Sequence, residues 1–587
     1  MRSGVGALVA ARPYPFSLAR ERCRPLWPPV RTHFHPRTYG CLQVRWNQQK
    51  RELMTKYAFV IDQRKCIGCH ACTVACKAEH DVPIGVYRTW VKYIEKGEFP
   101  NSRRYFLVNR CNHCTDAPCV TICPTRALFK RSDGIVDFDS NRCIGCKSCM
   151  QACPYDALYI DPYSQTAAKC NYCAHRTEVG LEPACVTVCP EHAIIAGDMH
   201  NPRTEIASIL AHERVRVRKP EQRTRPNVYY VGADEAALDP EIAVEELPNM
   251  NMWSTLLKPH HEDESAIDSS RSLRTLNSLK PYQPLEPAGA RLVYDTPKNS
   301  APWGWKVSAY LTTKSLGAGM MIVAALALAL YALQGTLSSS LNALLGIGAP
   351  VIGGLFIGIT LVLLIADLKR PDRALFLVTK ANPTSWLVWG GYILGIFGLI
   401  QAAWFFMALF SFTAGLRWLI LPAVIFGLAA AGYSAFLFGQ AEGRDFWQSP
   451  FMLPILLVQT LLAGAAGLGL LAWALNAGSA MTNLFTIILL AAIALHLLLV
   501  FAEVFGKHSN SHVATAARCM TGGGLKDTFW GPFFTVGSLV PLIMLCIALL
   551  TPAAQPVLLG MAGIIALAGL YAYEHCFIIA GQVVPLS

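Results

Sequence analysis

Charged residues are scarce in this chain. Only 15% of the 587 residues are Asp, Glu, Lys or Arg, and 53% are apolar, whereas about a quarter of the residues are charged in a typical soluble protein. Intrinsic disorder, a purely soluble enzyme and a small disulfide-stabilised scaffold are therefore poor interpretations. Residues 301–587 contain only 11 Lys/Arg and 7 Asp/Glu. This imbalance predicts a polar half joined to a membrane half.

Recognisable substrate chemistry is also missing. The sequence has no Gly-rich nucleotide-binding loop and no nucleophile with a partnering base. We therefore expect any substrate reaction to take place on a separate subunit.

Residues 1–53 form an Arg- and Pro-rich extension that lacks the apolar run of an export signal. Its only acids are Glu21 and Glu52. An organellar transit peptide fits the arginine bias but not the density of Pro and Trp. Because MTKYAFVID opens directly into a predicted strand, we expect translation to begin at Met54 and assign no function to the extension.

The remaining chain divides by composition into three parts. Residues 54–230 contain short strand patterns and dense cysteine, residues 231–305 form an extended connector without cysteine, and residues 306–587 are the membrane part. Each apolar stretch in the last part is long enough to cross about 30 Å of hydrocarbon. The eight predicted spans are 315–335, 344–366, 384–411, 417–439, 451–475, 482–505, 530–551 and 556–579.

Basic residues predict the orientation of these spans. With an even number of spans, both ends of the membrane part lie on the same side of the bilayer. The cysteine-rich part lies on that side too, because no span separates it from the first helix. The loops and helix ends on that side carry ten Lys/Arg, and the opposite loops carry only Arg417. Such a bias favours the cytoplasm of a bacterial inner membrane for the cysteine-rich part. The ten are Lys306, Lys314, Lys369, Arg370, Arg373, Lys380, Arg444, Lys507, Arg518 and Lys526.

Sixteen of the 21 cysteines lie in four groups of four. The first and third groups have the C-x2-C-x2-C-x3-C spacing of [4Fe–4S] ligands, in which the fourth cysteine reaches a neighbouring cluster. Disulfides conflict with a cytoplasmic location, and zinc sites use cysteine pairs with longer spacers. We therefore predict iron–sulfur clusters. The groups are Cys66, Cys69, Cys72, Cys76; Cys111, Cys114, Cys119, Cys123; Cys143, Cys146, Cys149, Cys153; and Cys170, Cys173, Cys185, Cys189.

Polar residues in the membrane part gather at the helix ends on the cluster side. Ionisable groups in spans are costly and often functional, and a quinone needs hydrogen-bond donors and proton carriers near its carbonyls. We therefore predict a quinone redox site among these residues, which are Asp367, Arg370, Arg373, Gln440, Glu442, Arg444, Asp445, His496, Glu503, Glu574 and His575.

Simpler roles stay open for each of these residues. The arginines can pair with neighbouring carboxylates or lipid headgroups, and His496 can hydrogen-bond another helix. A haem anchor needs paired axial histidines, for which His496 and His575 are the only candidates within the spans. Because the far half of the bilayer carries almost no ionisable residue except Arg417, we expect no proton path across the membrane.

The cysteine pattern resembles the four-cluster electron-transfer subunits of molybdopterin oxidoreductases, such as dimethyl sulfoxide, polysulfide and tetrathionate reductases. The resemblance covers about residues 55–230 and implies that the groups pair crosswise. The implied ligand sets are Cys66, Cys69, Cys72 with Cys189; Cys170, Cys173, Cys185 with Cys76; Cys111, Cys114, Cys119 with Cys153; and Cys143, Cys146, Cys149 with Cys123.

The strings LLIADLKRPDR, NPTSWLVWGGYIL, GYSAFLFGQAEGRDFWQSP and YEHCFIIAGQVVPLS resemble the polysulfide reductase membrane-subunit (NrfD) family. That resemblance implies a haem-free, quinone-reactive membrane subunit. The expected fold is an α+β ferredoxin-like double-dicluster domain followed by an all-α bundle of eight transmembrane helices. The expected function is electron transfer between quinone, four [4Fe–4S] clusters and a molybdopterin-type catalytic partner. The alternative is a passive anchor for a ferredoxin domain that serves soluble partners.

Overall fold

A computed structural model describes residues 55–97, 100–245, 290–296, 301–332 and 339–587. These residues lie within one compact unit, Thr55–Ser587. The predicted extension 1–53 and most of the predicted connector lie outside the described residues.

The cluster-side part alternates short strands and short helices, because its apolar runs are brief and cysteine loops interrupt them. Its strands are β1 (Tyr57–Asp62), β2 (Thr89–Lys96), β3 (Arg103–Arg110), β4 (Leu128–Lys130), β5 (Val136–Phe138), β6 (Leu158–Ile160), β7 (Ala167–Lys169), β8 (Ile194–Asp198), β9 (Val215–Arg216), β10 (Val228–Val231), β11 (Val244–Glu245) and β12 (Ala290–Tyr294). Its helices are α1 (Ala71–His80), α2 (Pro118–Ile122), α3 (Ser148–Ala152), α4 (Ala174–Thr177), α5 (Ala184–Thr187), α6 (Glu205–His212) and α7 (Glu235–Leu238).

Two four-stranded sheets and two hairpins organise this domain. The sheets have the strand orders β8-β1-β10-β9 and β11-β12-β2-β3, and the hairpins are β4-β5 and β6-β7. β12 falls within the predicted connector, yet it pairs antiparallel with β2. Its Asp295 neighbour forms an ion pair of 3.3 Å with the buried Lys92. The connector therefore returns to the cluster domain before it enters the membrane part.

Eight helices in the described residues are long and apolar enough to cross a membrane, so the predicted fold class and number of spans are confirmed. Two of these spans begin with π-helical segments, Asn342–Gly348 and Phe529–Leu539. The long helices are α8 (Trp305–Ala332), α9 (Ala349–Asp367), α10 (Trp386–Leu409), α11 (Thr413–Gly439), α12 (Met452–Ala474), α13 (Ser479–Phe505) and α16 (Gln555–Val583). Two short helices lie between α13 and α16: α14 (Ser511–Thr521), and α15 (Val540–Leu550), which continues the second π-helical segment and completes its span.

Helix α8 lies at the centre of the bundle. It packs against α9, α11, α12 and α16, and 78% of its most apolar window is buried inside the protein. Close approach to α12 requires glycine, since a Cβ on Gly319 would lie 1.9 Å from the Thr460 carbonyl oxygen. The helix begins ten residues before the predicted span, because its polar first turns are covered by protein rather than by water.

Candidate functional site

The cysteine groups meet crosswise at two cavities in the cluster domain. The first cavity, of about 350 Å³, is lined by Cys66, Cys69, Cys72 and Cys189, which we call cradle A. The second cavity, of about 310 Å³, is lined by Cys111, Cys114, Cys119 and Cys153, which we call cradle B. Each cradle therefore combines three cysteines of one group with the last cysteine of another.

Two further sets of thiols are recognised by their mutual electrostatic influence. Burial raises the pKa of Cys146 to about 12, and neighbouring Cys123 and Cys143 act in the same direction. Cys123 also raises the pKa of the buried Cys149. We call Cys143, Cys146, Cys149 and Cys123 cradle C.

The fourth set involves Cys76 and the last cysteine group. Burial raises the pKa of the Cys76 thiol, and Cys170, Cys185 and Cys173 raise it further. We call Cys170, Cys173, Cys185 and Cys76 cradle D. All sixteen thiols are free of disulfides.

The backbone around the cradles fits thiolate-bound clusters. Amide groups donate to cysteine sulfurs, as in the bonds from Ala193 N to Cys189 Sγ (3.2 Å) and from Ala167 N to Cys143 Sγ (3.3 Å). Such bonds stabilise thiolates and tune cluster potentials. Among the described residues, no group of His, Cys, Asp or Glu is arranged to hold a single metal ion. Four thiols with amide donors around them are the kind of ligand set that holds a [4Fe–4S] cluster.

Residues of the membrane bundle form an ion pair and hydrogen bonds with the cysteine loop of cradle C. Lys147 Nζ forms a 2.9 Å ion pair with Asp367 at the end of α9. The following backbone pairs with the cysteine loop, since Arg370 N donates to Ile144 O at 3.2 Å. Arg373 Nη1 donates to Cys143 O at 3.0 Å. Three predicted quinone residues therefore attach the cluster domain to the membrane.

A second connection holds the Cys123 side of cradle C. Asn382 Nδ2 donates to Cys123 O at 2.8 Å, and Ser385 Oγ donates to Ile122 O at 2.7 Å. Gln440 fixes this loop, because its Oε1 accepts from Trp386 N at 2.9 Å.

Arg444 forms the third connection. Its buried guanidinium donates to Gln151 Oε1 at 2.8 Å and to the carbonyl oxygens of Gln582 and Val584 at 3.2 and 3.0 Å. Burial lowers the pKa of Arg444 to about 10, so it stays charged at neutral pH. Neighbouring Glu442 is exposed.

A different set of polar groups lies inside the bundle. Lys314 Nζ is completely buried and donates to Ser434 Oγ at 2.6 Å and to Ala431 O at 3.0 Å. It also lies 4.8 Å from the centre of the Tyr433 ring. Glu574 is close enough to interact electrostatically with Lys314, and Gln459 is also its neighbour.

His496 extends this buried set. Its Nε2 lies 3.2 Å from Gln459 Nε2, and its ring makes edge contacts with Phe533 and Tyr573. Tyr573 in turn donates to Glu503 Oε2 at 3.4 Å. At 1.5 Å per residue, Lys314, His496 and Glu574 each lie about 14 Å along their helices from the end nearest the cluster domain. We call Lys314, Tyr433, Gln459, His496 and Glu574 the buried polar cluster.

His575 does not share this environment. Its ring stacks on Tyr571 with centroids 6.3 Å apart, whereas His496 faces Gln459, Phe533 and Tyr573. The two histidines therefore have separate neighbours, which does not favour the haem-anchor alternative.

Curated relatives match the cluster domain closely. A tetrathionate reductase subunit of Salmonella typhimurium is 46% identical over 189 residues, which are 32% of this chain and 76% of that protein. A polysulfide reductase chain of Wolinella succinogenes is 41% identical over 181 residues, 30% of this chain and 94% of that protein. A putative dimethyl sulfoxide reductase iron-sulfur subunit of Halobacterium salinarum is 32% identical over 270 residues, 40% of this chain and 99% of that protein.

Family models cover both halves. Two models described as a 4Fe-4S dicluster domain match residues 65–128 and 102–199, and a model described as polysulphide reductase, NrfD matches residues 295–585. The protein belongs to these two families. This dicluster–NrfD chain is therefore an iron–sulfur electron-transfer subunit joined to the membrane anchor of a reductase complex, and both resemblances expected from the sequence are confirmed.

Three members of the buried polar cluster, Lys314, Tyr433 and Gln459, were not among the site residues predicted from the sequence of the dicluster–NrfD chain, and Lys314 was misplaced as well. The orientation count treated it as a charge at the membrane surface, which is wrong, because the lysine lies inside α8 and is fully buried. The other basic residues on that side leave the charge asymmetry almost unchanged. A signal was present in the helical continuity of WKVSAYLTTK with the following apolar run, which places Lys314 three turns into a helix.

Asp445 makes a separate contact at the surface of the dicluster–NrfD chain. It accepts hydrogen bonds from His512 Nδ1 and Gln222 Nε2, both at 2.8 Å. The bond to Asp445 raises the pKa of His512, while partial burial opposes the shift and Glu241 adds to it. Although burial acts to raise the pKa of Asp445, the bonds from His512 and Gln222 hold it below its usual value.

This pair predicts a pH-dependent stability. A histidine with a raised pKa stabilises the fold fully below its unfolded pKa of about 6.5, and this stabilisation is lost as pH rises through the folded value. We expect the thermal unfolding midpoint, measured in detergent, to decrease as the pH is raised from about 6 to about 9. The corresponding loss in the free energy of unfolding is about 1 kcal/mol. His512→Asn should flatten the profile, whereas His508→Asn should not. An unchanged profile in His512→Asn would contradict the assignment.

Proposed function

We propose that this chain carries electrons between a quinone in the bilayer and a separate catalytic subunit of the molybdopterin type, through four [4Fe–4S] clusters held in cradles A to D. The observation that carries the proposal is the convergence of the membrane contacts on cradle C, through Lys147–Asp367, Arg373–Cys143 and Asn382–Cys123. Rigid attachment at that point keeps one cluster site close to the membrane part. A passive membrane anchor would not need this rigid attachment of a cluster site.

The remaining cradles follow in a line. Cys149 of cradle C has Cys119 of cradle B as a charged neighbour. Cys170 of cradle D has Cys111 of cradle B as a charged neighbour, and Cys72 of cradle A has Cys185 of cradle D. The order from the membrane is therefore C, B, D, A. A [4Fe–4S] cluster accepts and releases single electrons, which suits stepwise transfer along this line.

The catalytic partner is proposed to dock beside cradle A. Cys69 is exposed, and Ile67 next to it is 54% exposed. An apolar, open loop at the last cradle of the line offers a short route to a second protein. The names of the relatives, which include tetrathionate, polysulfide and dimethyl sulfoxide reductase subunits, support a partner of this class.

The buried polar cluster is the proposed quinone redox site. Lys314 offers a charged donor for a carbonyl oxygen, Tyr433 offers a ring face and a hydroxyl, and Glu574 can accept a proton that the quinol releases when it is oxidised. These groups are enclosed in apolar side chains, where a charge is costly unless it serves a function. Of the residues predicted from sequence, His496 and Glu574 belong to this set.

A chain of polar side chains is the proposed proton route to the cluster side. It runs from Glu574 through Gln459 and His496 to Tyr573 and then Glu503, which has Ser449 in the loop before α12 as a neighbour. The far end of the bundle instead has uncharged groups, including Thr482 and Gln555. We therefore propose proton exchange on the cluster side only, and that this side is the cytoplasm.

Electron paramagnetic resonance on the full chain in detergent tests the proposal against the passive anchor. Dithionite should produce cluster signals, quinol should reduce those clusters whose potentials allow it, and added quinone should reoxidise dithionite-reduced clusters. Clusters that dithionite reduces but that exchange no electrons with either quinol or quinone would refute quinone coupling and leave the anchor.

A further inference from the structure

Arg110 is a buried cation between two cysteine cradles. Only 1% of its surface is exposed. Nη1 donates to Cys185 Sγ of cradle D at 3.3 Å, and Nη2 donates to Thr89 Oγ1 at 3.4 Å. The guanidinium carbon lies 4.3 Å from the centre of the Phe59 ring. The same group is close enough to Cys72 of cradle A to interact with its charge.

The usual counter-charge of a buried arginine is missing here. Within the described parts of the chain, no carboxylate forms an ion pair with Arg110, and no acceptor bonds its Nε. On the same strand, the exposed Arg104 pairs with Glu95 at 2.8 Å. A guanidinium does not lose its proton in proteins, and an unpaired buried charge is expensive. The negative charge that balances Arg110 must therefore come from the cysteine sulfurs and what they bind.

We propose that Arg110 raises the reduction potentials of the two clusters farthest from the membrane, those of cradles D and A. The inference rests on the proposed function, because it requires clusters in both cradles. Each cluster gains one negative charge when it accepts one electron, and a fixed cation against a ligand sulfur favours that reduced form. Arg110 thus acts through the clusters of cradles D and A, by setting how readily they accept electrons at the end of the line where the partner is proposed to dock.

The test is an anaerobic redox titration of the full chain, followed by electron paramagnetic resonance. In Arg110→Gln, we expect two of the four midpoint potentials to fall, with at least a tenfold smaller reduction constant, which corresponds to about 59 mV for one electron. The other two should stay in place. Arg110→Lys keeps the charge and should shift them less than half as far, and Arg104→Gln is the matched control on the same strand and should shift none.

Several outcomes overturn the inference. Unchanged potentials in Arg110→Gln with full cluster content would refute it, and equal shifts in Arg110→Gln and Arg110→Lys would assign the effect to shape rather than charge. If Arg110→Gln fails to assemble clusters, Arg110→Met decides, because it also fills the space without the charge: the same two potentials should fall in Arg110→Met, and unchanged potentials there would refute the inference. Absence of four cluster potentials in the wild type would instead refute the proposed function.

Discussion

Replacing Lys314 with methionine should slow electron exchange between quinol and the clusters by about 100-fold, the usual cost of removing one preorganised charged donor. Reduction by dithionite should be unchanged. Lys314 is buried among Tyr433, Ser434 and Glu574 and does not contact the cluster domain in the described structure. Methionine fills a similar volume without the charge. Stopped-flow measurement of cluster absorbance after mixing with quinol provides the rate.

Lys306 provides the matched control for this prediction. It lies on the same helix, two turns earlier, and its partly exposed side chain donates to Ala366 O at 2.8 Å. Lys306→Met should keep at least half of the wild-type rate. If Lys314→Met also keeps that rate, the quinone site lies elsewhere and the buried polar cluster has only a structural role.

The sequence did not reveal which polar residues hold the cluster domain and which lie inside the helix bundle. Charges at the helix ends were visible, but their partners are far away along the chain, as Lys147 and Asp367 are separated by 220 positions. A charge that pairs with a distant loop has the same local pattern as a charge that meets a ligand. Only the folded chain separates Asp367 and Arg373, which hold cradle C, from His496 and Glu574 in the bundle core.

Other features were predictable because their causes are local. A cysteine spacing that wraps a cluster depends on a few consecutive residues, and a span depends on about 20 apolar residues in a row. The buried position of Lys314 is different in kind. The helical continuity through residue 314 is visible in the sequence, but the Ala431 and Ser434 acceptors of α11 that satisfy the buried ammonium group are not.

Two double variants test the proposed order of the clusters, C, B, D, A from the membrane. Each replaces two ligands of one cradle and removes the cluster at one end of that order. Cys123→Ala with Cys149→Ala removes ligands of cradle C, so we expect quinol to lose its ability to reduce the remaining clusters. Dithionite should still reduce them. Cys72→Ala with Cys189→Ala removes ligands of cradle A, and quinol should then still reduce the clusters of cradles C, B and D wherever their potentials allow it.

The two double variants also test the crosswise pairing itself. Cys123 and Cys149 belong to different groups along the chain, and so do Cys72 and Cys189. If each pair serves one cluster, iron content should fall by one quarter in each variant; if each group holds its own cluster, both variants damage two clusters and iron content should fall further. Iron analysis thus measures the pairing, and quinol reduction measures the order. If quinol no longer reduces any cluster in the cradle A variant, although the other three clusters are present, electrons from quinol enter at cradle A. That result would contradict the proposed order, in which they enter at cradle C.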